Sequence, residues 1–180
     1  AVNNGLISYP ALPEKLSNIN VVPSVFVDGK VLDRTTINLE KLHFELAGSP
    51  FDISFFMKTP MSDPDFRGSA KGRIDLGALS KAVPMDSISL TGVIDMAISM
   101  AGKLSMIEKE QYESFKAEGT MGISDMSVVM TGYPGIDINE VKVLFTPAFT
   151  QLQRADIVVA GTSDFSLSGN LENYIPYLFS

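Results

Sequence analysis

The chain has 180 residues, of which 45% are hydrophobic, and a net charge of −7 at neutral pH. These values indicate one domain with a sizeable core and exclude a disordered tail. The 14 Lys and Arg residues are scattered along the chain, which argues against a nucleic-acid partner and against docking on anionic lipid headgroups. There is no cysteine to form a disulfide or a thiolate site.

The sequence was also searched for the apolar segments that insert into or cross membranes. No apolar run of about 18 residues predicts a transmembrane helix, and the N-terminus lacks the charged and apolar parts of a signal peptide. Either the protein is cytosolic or the chain is a piece of a longer protein, and the abrupt start at Ala1 and the end at Ser180, directly after the apolar Phe179, favour a piece.

The first part of the chain predicts little regular structure. Residues 1–24 are rich in Asn and Pro and are interpreted as an irregular lead-in, with one short strand near Ile19 to Val22. Two apolar runs then flank Asp28 and Gly29, a pair that favours a type I′ turn. This pattern predicts a hairpin over residues 25–32.

A pattern of five apolar residues occurs twice, 99 positions apart. Its members are Ile37, Leu39, Leu42, Phe44 and Leu46, and again Ile136, Ile138, Val141, Val143 and Phe145. Strand side chains alternate between faces, so each copy changes face once, near Glu40-Lys41 and near Asn139-Glu140. One extra residue at each place would return all five to one face, which predicts a β-bulge in both copies and an internal duplication.

Further strands and two short helices follow from alternation and breakers. The segments 51–57 and 66–76 alternate, and Asp75 is placed to cap a helix that Pro84 ends. The clearest strand spans 88–100. Ser105 and Glu108 have capping-box spacing, which predicts a helix to about Ser114. A parity change near Ser124-Asp125 predicts another bulge.

These elements predict a mainly β fold: a curved antiparallel sheet of about ten strands with two or three short helices, internally duplicated and forming an open trough. The domain would begin at residue 25. Its two related units would span 25–86 and 125–180, joined by a strand-helix-strand segment at 87–124.

The sequence offers no set of residues typical of an enzyme or a cofactor site. His43 is the single histidine, and its place in the alternation predicts a solvated strand residue. No dinucleotide, P-loop or nucleophile-elbow motif is present. Asp63 and Asp65 could contribute to a calcium site but are more typical of a solvated turn. Lys71, Arg73 and Lys81 fit a phosphate-binding patch or, better, the guarding charges of an edge strand.

Four motifs resemble the AsmA family, specifically the AsmA-like C-terminal region of Bacteroidetes proteins. They are SMIEKEQYESF at 105–115, DMSVVMTGYPG at 125–135, TPAF at 146–149 and NLENYIPYLF at 170–179. The resemblance covers most of the chain after residue 25. Its motifs are structural, so they are more specific for family than for activity.

The resemblance implies a non-enzymatic role in lipid handling. Proteins of this family and their TamB relatives resemble bridge-like lipid-transfer proteins, in which β units form an apolar trough. They are anchored in the inner membrane by an N-terminal transmembrane helix, project into the periplasm, and are tied to outer-membrane assembly and phospholipid traffic. The implied partners are a phospholipid or other acyl-chain ligand and assembly components at either membrane, with no cofactor.

An apolar strand face provides the candidate lipid-binding groove. The alternative is a β-sandwich adhesion or glycan-binding module, in which the same face would be a closed core. The absence of Trp disfavours glycan binding. The groove candidates are Ile88, Leu90, Ile94, Met96, Ile98, Met100, Leu42, Phe44, Val141 and Val143.

Overall fold

A computed structural model describes residues 1–8, 15–82, 87–109, 111 and 114–172. Ten antiparallel strands form one open sheet, and their order in the sheet is their order in the sequence. The strands are β1 (Val2–Ile7), β2 (Leu16–Phe26), β3 (Thr36–Leu46), β4 (Ser49–Lys58), β5 (Asp65–Asp75), β6 (Ile88–Lys103), β7 (Lys116–Met130), β8 (Ile136–Phe145), β9 (Phe149–Val159) and β10 (Ser163–Glu172). The predicted fold class is confirmed.

The sheet is a single layer in the part of the chain that is described. Each strand makes its substantial contacts with its immediate neighbours in the sheet. Two helices follow the ends of strands: α1 (Leu76–Ala82) contacts β5 and β6, and α2 (Leu104–Glu108) contacts β6. A 3₁₀ turn (Leu32–Arg34) lies between β2 and β3. No second sheet packs on the first among these elements, which is what a β-sandwich would require.

The bulge predicted in β3 is present. Leu39 pairs with Phe55 and Leu42 pairs with Ile53, so two residues of β3 stand opposite one residue of β4. Because Phe55 and Ile53 are two apart on a regular strand, their side chains share a face, and so do those of Leu39 and Leu42. The extra residue therefore keeps the apolar pattern on one side of the sheet.

The second copy of the pattern has its bulge at the predicted place. The pairing of β8 with β9 shifts between Ile138 and Glu140. The pairing of β7 with β6 shifts near Asp125, whose φ of 49° lies in the left-handed region. With the bulge of β3, all three predicted bulges are thus confirmed, and β7 and β8 stay in register because both bulge at the same level of the sheet. The division into units 25–86 and 125–180 stays a prediction.

The irregular lead-in was a wrong prediction. Within residues 1–24, β1 and most of β2 belong to the sheet, and β2 extends well beyond the expected Ile19–Val22. Asn4 and Asn18 adopt positive φ values of 52° and 50°, where asparagine is tolerated, and the pairing of β1 with β2 shifts twice. Asparagine therefore marks irregularities within paired strands here.

The prediction of a tight hairpin at Asp28-Gly29 was also wrong. The chain leaves β2 at Phe26 and enters β3 at Thr36, and these two residues pair. The Asp28 carboxylate instead accepts hydrogen bonds from the backbone N–H groups of Lys30 (2.9 Å) and Val31 (3.1 Å), as an Asx turn does. The connection is consequently a longer structured loop.

The helix after β5 is confirmed. Leu76–Ala82 is α1, and the backbone N–H of Ala78 donates to Asp75 Oδ1 at 2.9 Å, so Asp75 satisfies a donor of the first turn. Pro84, the predicted stop, lies outside the described residues.

The prediction of a capping box between Ser105 and Glu108 was wrong. The helix α2 has Lys103 at its N-cap position and no side-chain cap, and it ends at Glu108. Ser105 donates its backbone N–H (2.9 Å) and its hydroxyl (2.8 Å) to the carboxylate of Asp63. Asp63, in the loop before β5, therefore accepts the backbone hydrogen bond from Ser105 that the sequence predicted for Glu108.

Candidate functional site: the apolar face of the sheet

One face of the sheet carries a continuous series of apolar side chains. Residues that pair across neighbouring antiparallel strands project to the same side, so the register defines rows. One row crosses seven strands, from β3 to β9, through Phe44, Phe51, Gly72, Met96, Met121, Val143 and Leu152. We call this side of the sheet the apolar face.

Two further rows run beside the first. The row nearer α2 contains Leu42, Ile53, Ala70, Ile98, Gly119 and Phe145. The row nearer α1 contains Ile74, Ile94, Ile123, Val141, Ala155 and Leu167. Leu90 and Ile88 extend the face by pairing with Val128 and Met130, and Met100 pairs with Gly68. The structure therefore brings all ten predicted groove residues to one face.

Several members of this face are not among the ten predicted groove residues. Ile53, Met121 and Ile123 lie on the strands beside β3, β6 and β8, and their alternation was visible in the sequence. Leu152 and Ala155 were hidden because a register shift at Gln153 changes the phase of β9. A phase change in one strand thus concealed two residues that belong to the same surface.

The apolar face is not sealed by other described elements. Ile88 and Met100 are 39% and 42% exposed, and the other predicted groove residues are half-buried. Nine strand spacings of about 4.8 Å and strands about 33 Å long give a nominal face on the order of 1,400 Å². Typical monomers expose apolar patches of about 300–600 Å². The area of about 1,400 Å² is the extent of the whole sheet face, and the exposed apolar surface is the part of it that the half-buried side chains present.

A small cluster of packed apolar side chains bounds the apolar face at the end nearer α2. Phe115 is 1% exposed and packs against Phe66, Ala117 and Phe145 from the sheet and against Ile107 of α2. The rings of Phe66 and Phe115 are 5.9 Å apart and tilted by 59°. Because three members belong to the apolar face, α2 and Phe115 mark its boundary at this end.

Glycines on the apolar face stand opposite phenylalanines. The cross-strand pairs are Gly68 with Phe55, Gly72 with Phe51, Gly102 with Phe66, and Gly119 with Phe145. A glycine has no Cβ, so a large ring on the neighbouring strand has room to lie against the backbone. Phe51 also stacks on Phe44, with ring centroids 5.0 Å apart. At each of these pairs the phenylalanine ring occupies the space that a side chain on the glycine strand would otherwise fill.

The opposite face is polar and covered by ion pairs. Arg73 binds the carboxylate of Asp95 through one guanidinium nitrogen at 3.0 and 3.1 Å. Lys142 lies 2.6 Å from Glu140, and Lys58 lies 3.1 Å from Asp65. Because β5 lies between β4 and β6, the interpretation of its cations as edge guards was wrong. The side chain of Lys81 is outside the described part.

Two clefts of about 610 and 600 Å³ lie on this polar face. The first has Lys71, Arg73 and Lys142 beside Asp52 and Asp95. Positive and negative side chains lie next to each other in this cleft, and the guanidinium of Arg73 forms an ion pair with the carboxylate of Asp95. Most of the surface that lines this cleft is nevertheless apolar, with Pro50 and Ala97 among its lining residues.

His43 lies on the polar face, as predicted, but is not freely solvated. Its side chain is 17% exposed. Nδ1 is 2.8 Å from Asp52 Oδ1, and Nε2 is 3.3 Å from Asn18 Nδ2. Asn18 also donates to Glu45 at 3.0 Å. The cluster joins β2, β3 and β4 at their polar side.

Three carboxyl groups have pKa values below their ordinary range because hydrogen bonds favour their charged form. The pKa of Asp33 is lowered by Ser62, that of Asp63 by Ser105, and that of Asp156 by Arg154. Asp63 thus belongs to a loop contact, and Asp65 to an ion pair with Lys58. No group of three or more potential metal ligands occurs within residues 1–8, 15–82, 87–109, 111 and 114–172.

Neither of the described α-helices has the length and apolarity needed to cross a bilayer. Comparisons with family models, with curated proteins and with solved structures gave no match.

Proposed function

We propose that the apolar face shelters the acyl chains of a phospholipid, in a periplasmic segment of an AsmA-like protein that takes part in lipid handling for outer-membrane assembly. The observation that carries the proposal is the continuous apolar row from Phe44 to Leu152, which no described second layer covers.

The energetics of lipid transfer favour a surface of this extent. Each methylene removed from water contributes about 0.8 kcal/mol, so two chains with roughly 30 methylenes represent about 25 kcal/mol. A small pocket cannot offset that cost, whereas a face on the order of 1,400 Å² can cover both chains. Met96 and Met121 lie side by side in the middle row, and methionine adapts readily to irregular apolar ligands.

The family resemblance supports the same assignment. Its motif at 105–115 includes most of α2, which bounds the apolar face at one end, and its motif at 125–135 covers the end of β7 and the turn before β8. The proposed partners are therefore a phospholipid and assembly components at the inner or outer membrane. In this proposal the protein is a non-enzymatic carrier, and its location is the periplasm.

The adhesion or glycan-binding alternative has less support. Its sandwich form requires a second sheet, and the described strands form one. On the polar face, the guanidinium of Arg67 lies 4.5 Å above the Phe56 ring, so this ring is covered on one side. Sugar stacking needs an accessible aromatic surface.

Native mass spectrometry tests the proposal. The protein purified from a bacterial host is expected to carry phospholipid, released on collisional activation. Met96→Asp and Ile98→Asp each place a charge on the apolar face and should abolish the bound species. Ala97→Asp is the matched control, because Ala97 is exposed on the polar face of the same strand. It should retain the lipid.

A second assay uses phosphatidylglycerol and phosphatidylethanolamine vesicles with a fluorescent phospholipid. The wild-type protein and Ala97→Asp should extract the labelled lipid, and Met96→Asp should not. Absence of lipid from the wild-type protein in both assays, or equal binding by Met96→Asp and Ala97→Asp, would contradict the proposal.

A further inference from the structure

The two edges of the sheet differ in how they are protected. At one edge, β1 has six residues and its pairing with β2 shifts register twice. At the other edge, β10 has ten residues, and every one of them is exposed. Natural sheets guard their edges with short strands, lysine, proline or bulges. Irregularity protects β1, whereas β10 contains neither lysine nor proline.

The side chains of β10 alternate in a way that suits another strand. Phe165, Leu167 and Leu171 continue the apolar face and are 49%, 51% and 58% exposed. Asp164, Ser166, Ser168, Asn170 and Glu172 have the opposite parity and continue the polar face. A strand added at this edge would need the same alternation.

We propose that β10 pairs with β10 of a second copy of this chain, in antiparallel orientation about a twofold axis at Leu167, so that two sheets join into one. The inference rests on the edge geometry and is independent of any lipid ligand.

The register follows from charge and from parity. Two registers with nine residue pairs keep the apolar face of one β10 on the same side as that of its partner. One centres on Ser168 and places Asp164 opposite the partner's Glu172 twice, and like charges directly opposite are destabilising. The other centres on Leu167 and places Asp164 opposite the partner's Asn170. The second register therefore avoids the repulsion.

The same register repeats a feature found inside the sheet. It places Phe165 opposite the partner's Gly169, as Phe51 is opposite Gly72 and Phe55 is opposite Gly68. No heavy atom lies within 4 Å of the position that a Cβ of Gly169 would occupy, so the space above this glycine is open. Two phenylalanine rings, one from each copy, would fill both spaces.

Nine residue pairs provide roughly eight to ten hydrogen bonds between the strands. The interface is isologous, so it closes as a dimer and does not propagate. Pairing of β10 with β1 of another copy would instead form open chains, and the two register shifts of β1 disfavour it.

Sedimentation velocity over a wide concentration range tests the dimer. The wild-type protein should shift reversibly to twice the monomer mass as its concentration rises. Leu167→Lys should remain monomeric. The control Val129→Lys changes an exposed apolar residue of β7, an interior strand, and should dimerise like the wild type. Circular dichroism of each variant checks that the sheet is retained.

Cysteine cross-linking tests the register, because the chain has no native cysteine. Under mild oxidation, Leu167→Cys should form a disulfide dimer, and Ser168→Cys should not. A wild-type protein that stays monomeric, a ladder of larger oligomers, or preferential cross-linking through Ser168→Cys would overturn the proposal. These outcomes are separate from lipid binding, which Met96→Asp reports.

Discussion

The phenyl ring of Phe51 lies against Gly72 on the neighbouring strand, and its Cδ1 is 2.5 Å from the position that a Cβ on Gly72 would occupy. Real Cβ contacts are essentially never that close, so any larger residue must displace the ring. Because Phe51 also stacks on Phe44, the displacement would disturb the middle row of the apolar face. The glycine is therefore a packing requirement of this surface.

Gly72→Ala should lower the free energy of unfolding by about 1–3 kcal/mol, the usual cost of overpacking. Urea denaturation followed by circular dichroism measures the change. Gly122→Ala is the control, since the nearest atom to its added Cβ is the Val141 carbonyl oxygen at 3.8 Å. If Phe51→Leu does not reduce the cost of Gly72→Ala, the proposed contact is not its cause.

Phe115→Ala should destabilise the protein by about 3–5 kcal/mol, because it removes a fully buried ring from the cluster with Phe66 and Ile107. Thermal and urea unfolding report the effect. Phe26→Ala, at a site 61% exposed, should change stability by no more than about 0.5 kcal/mol. Equal effects of the two substitutions would show that the cluster does not stabilise this end of the sheet.

Ser105→Ala should destabilise the protein at neutral pH, and the difference from wild type should shrink in acid. The backbone N–H and the hydroxyl of Ser105 lower the pKa of Asp63 in the folded state below the unfolded value of about 3.9, and the substitution removes the hydroxyl's part of this effect. A lowered folded pKa stabilises the protein above the unfolded pKa, and the contribution is lost as pH falls through the folded pKa. Urea midpoints measured between pH 7 and pH 2 test this.

Ser54→Ala is the control for the acid experiment. It removes a neutral hydrogen bond of 2.8 Å to Ser69, so its effect should not depend on pH. A Ser105→Ala effect that stays constant with pH would contradict the role assigned to the Asp63 charge.

Deletion of Glu40 should disrupt β3 far more than the substitution Glu40→Ala. Removing the extra residue turns Ile37 and Leu39 to the polar face, at a cost on the order of 2 kcal/mol for two half-buried side chains. Hydrogen exchange of β3 and β4 amides should accelerate in the deletion variant alone. If the amides of β3 and β4 exchange at the wild-type rate in the deletion variant, the bulge does not determine which side chains of β3 lie on the apolar face.

Much of this fold could be predicted because its strands alternate strongly. The bulges near Glu40, Asn139 and Asp125 were predictable, since each interrupts a clear apolar alternation and one face must stay apolar. The helix after Asp75 has its capping residue adjacent in sequence. The sequence therefore predicted an element correctly where the hydrogen-bond partner was close in sequence, or where all apolar residues of a strand had to lie on one face.

Other features depend on contacts that are distant in sequence. Ser105 is capped from Asp63, 42 residues earlier, so a local capping box was the wrong interpretation. β1 and β2 contain asparagine and proline at positions where the sheet tolerates irregular pairing. The ten groove residues share a face as expected, whereas their use by a lipid depends on chemistry that the alternation does not encode.

The uninterrupted meander has a consequence for how this chain is assembled and how it can change. Because every strand pairs with its sequence neighbours, contact order is low for an all-β protein, and structure can grow hairpin by hairpin from any nucleus. A hairpin gained or lost at a turn would require no rethreading of the remaining strands. The width of the platform is therefore a quantity that evolution can adjust in steps of one hairpin.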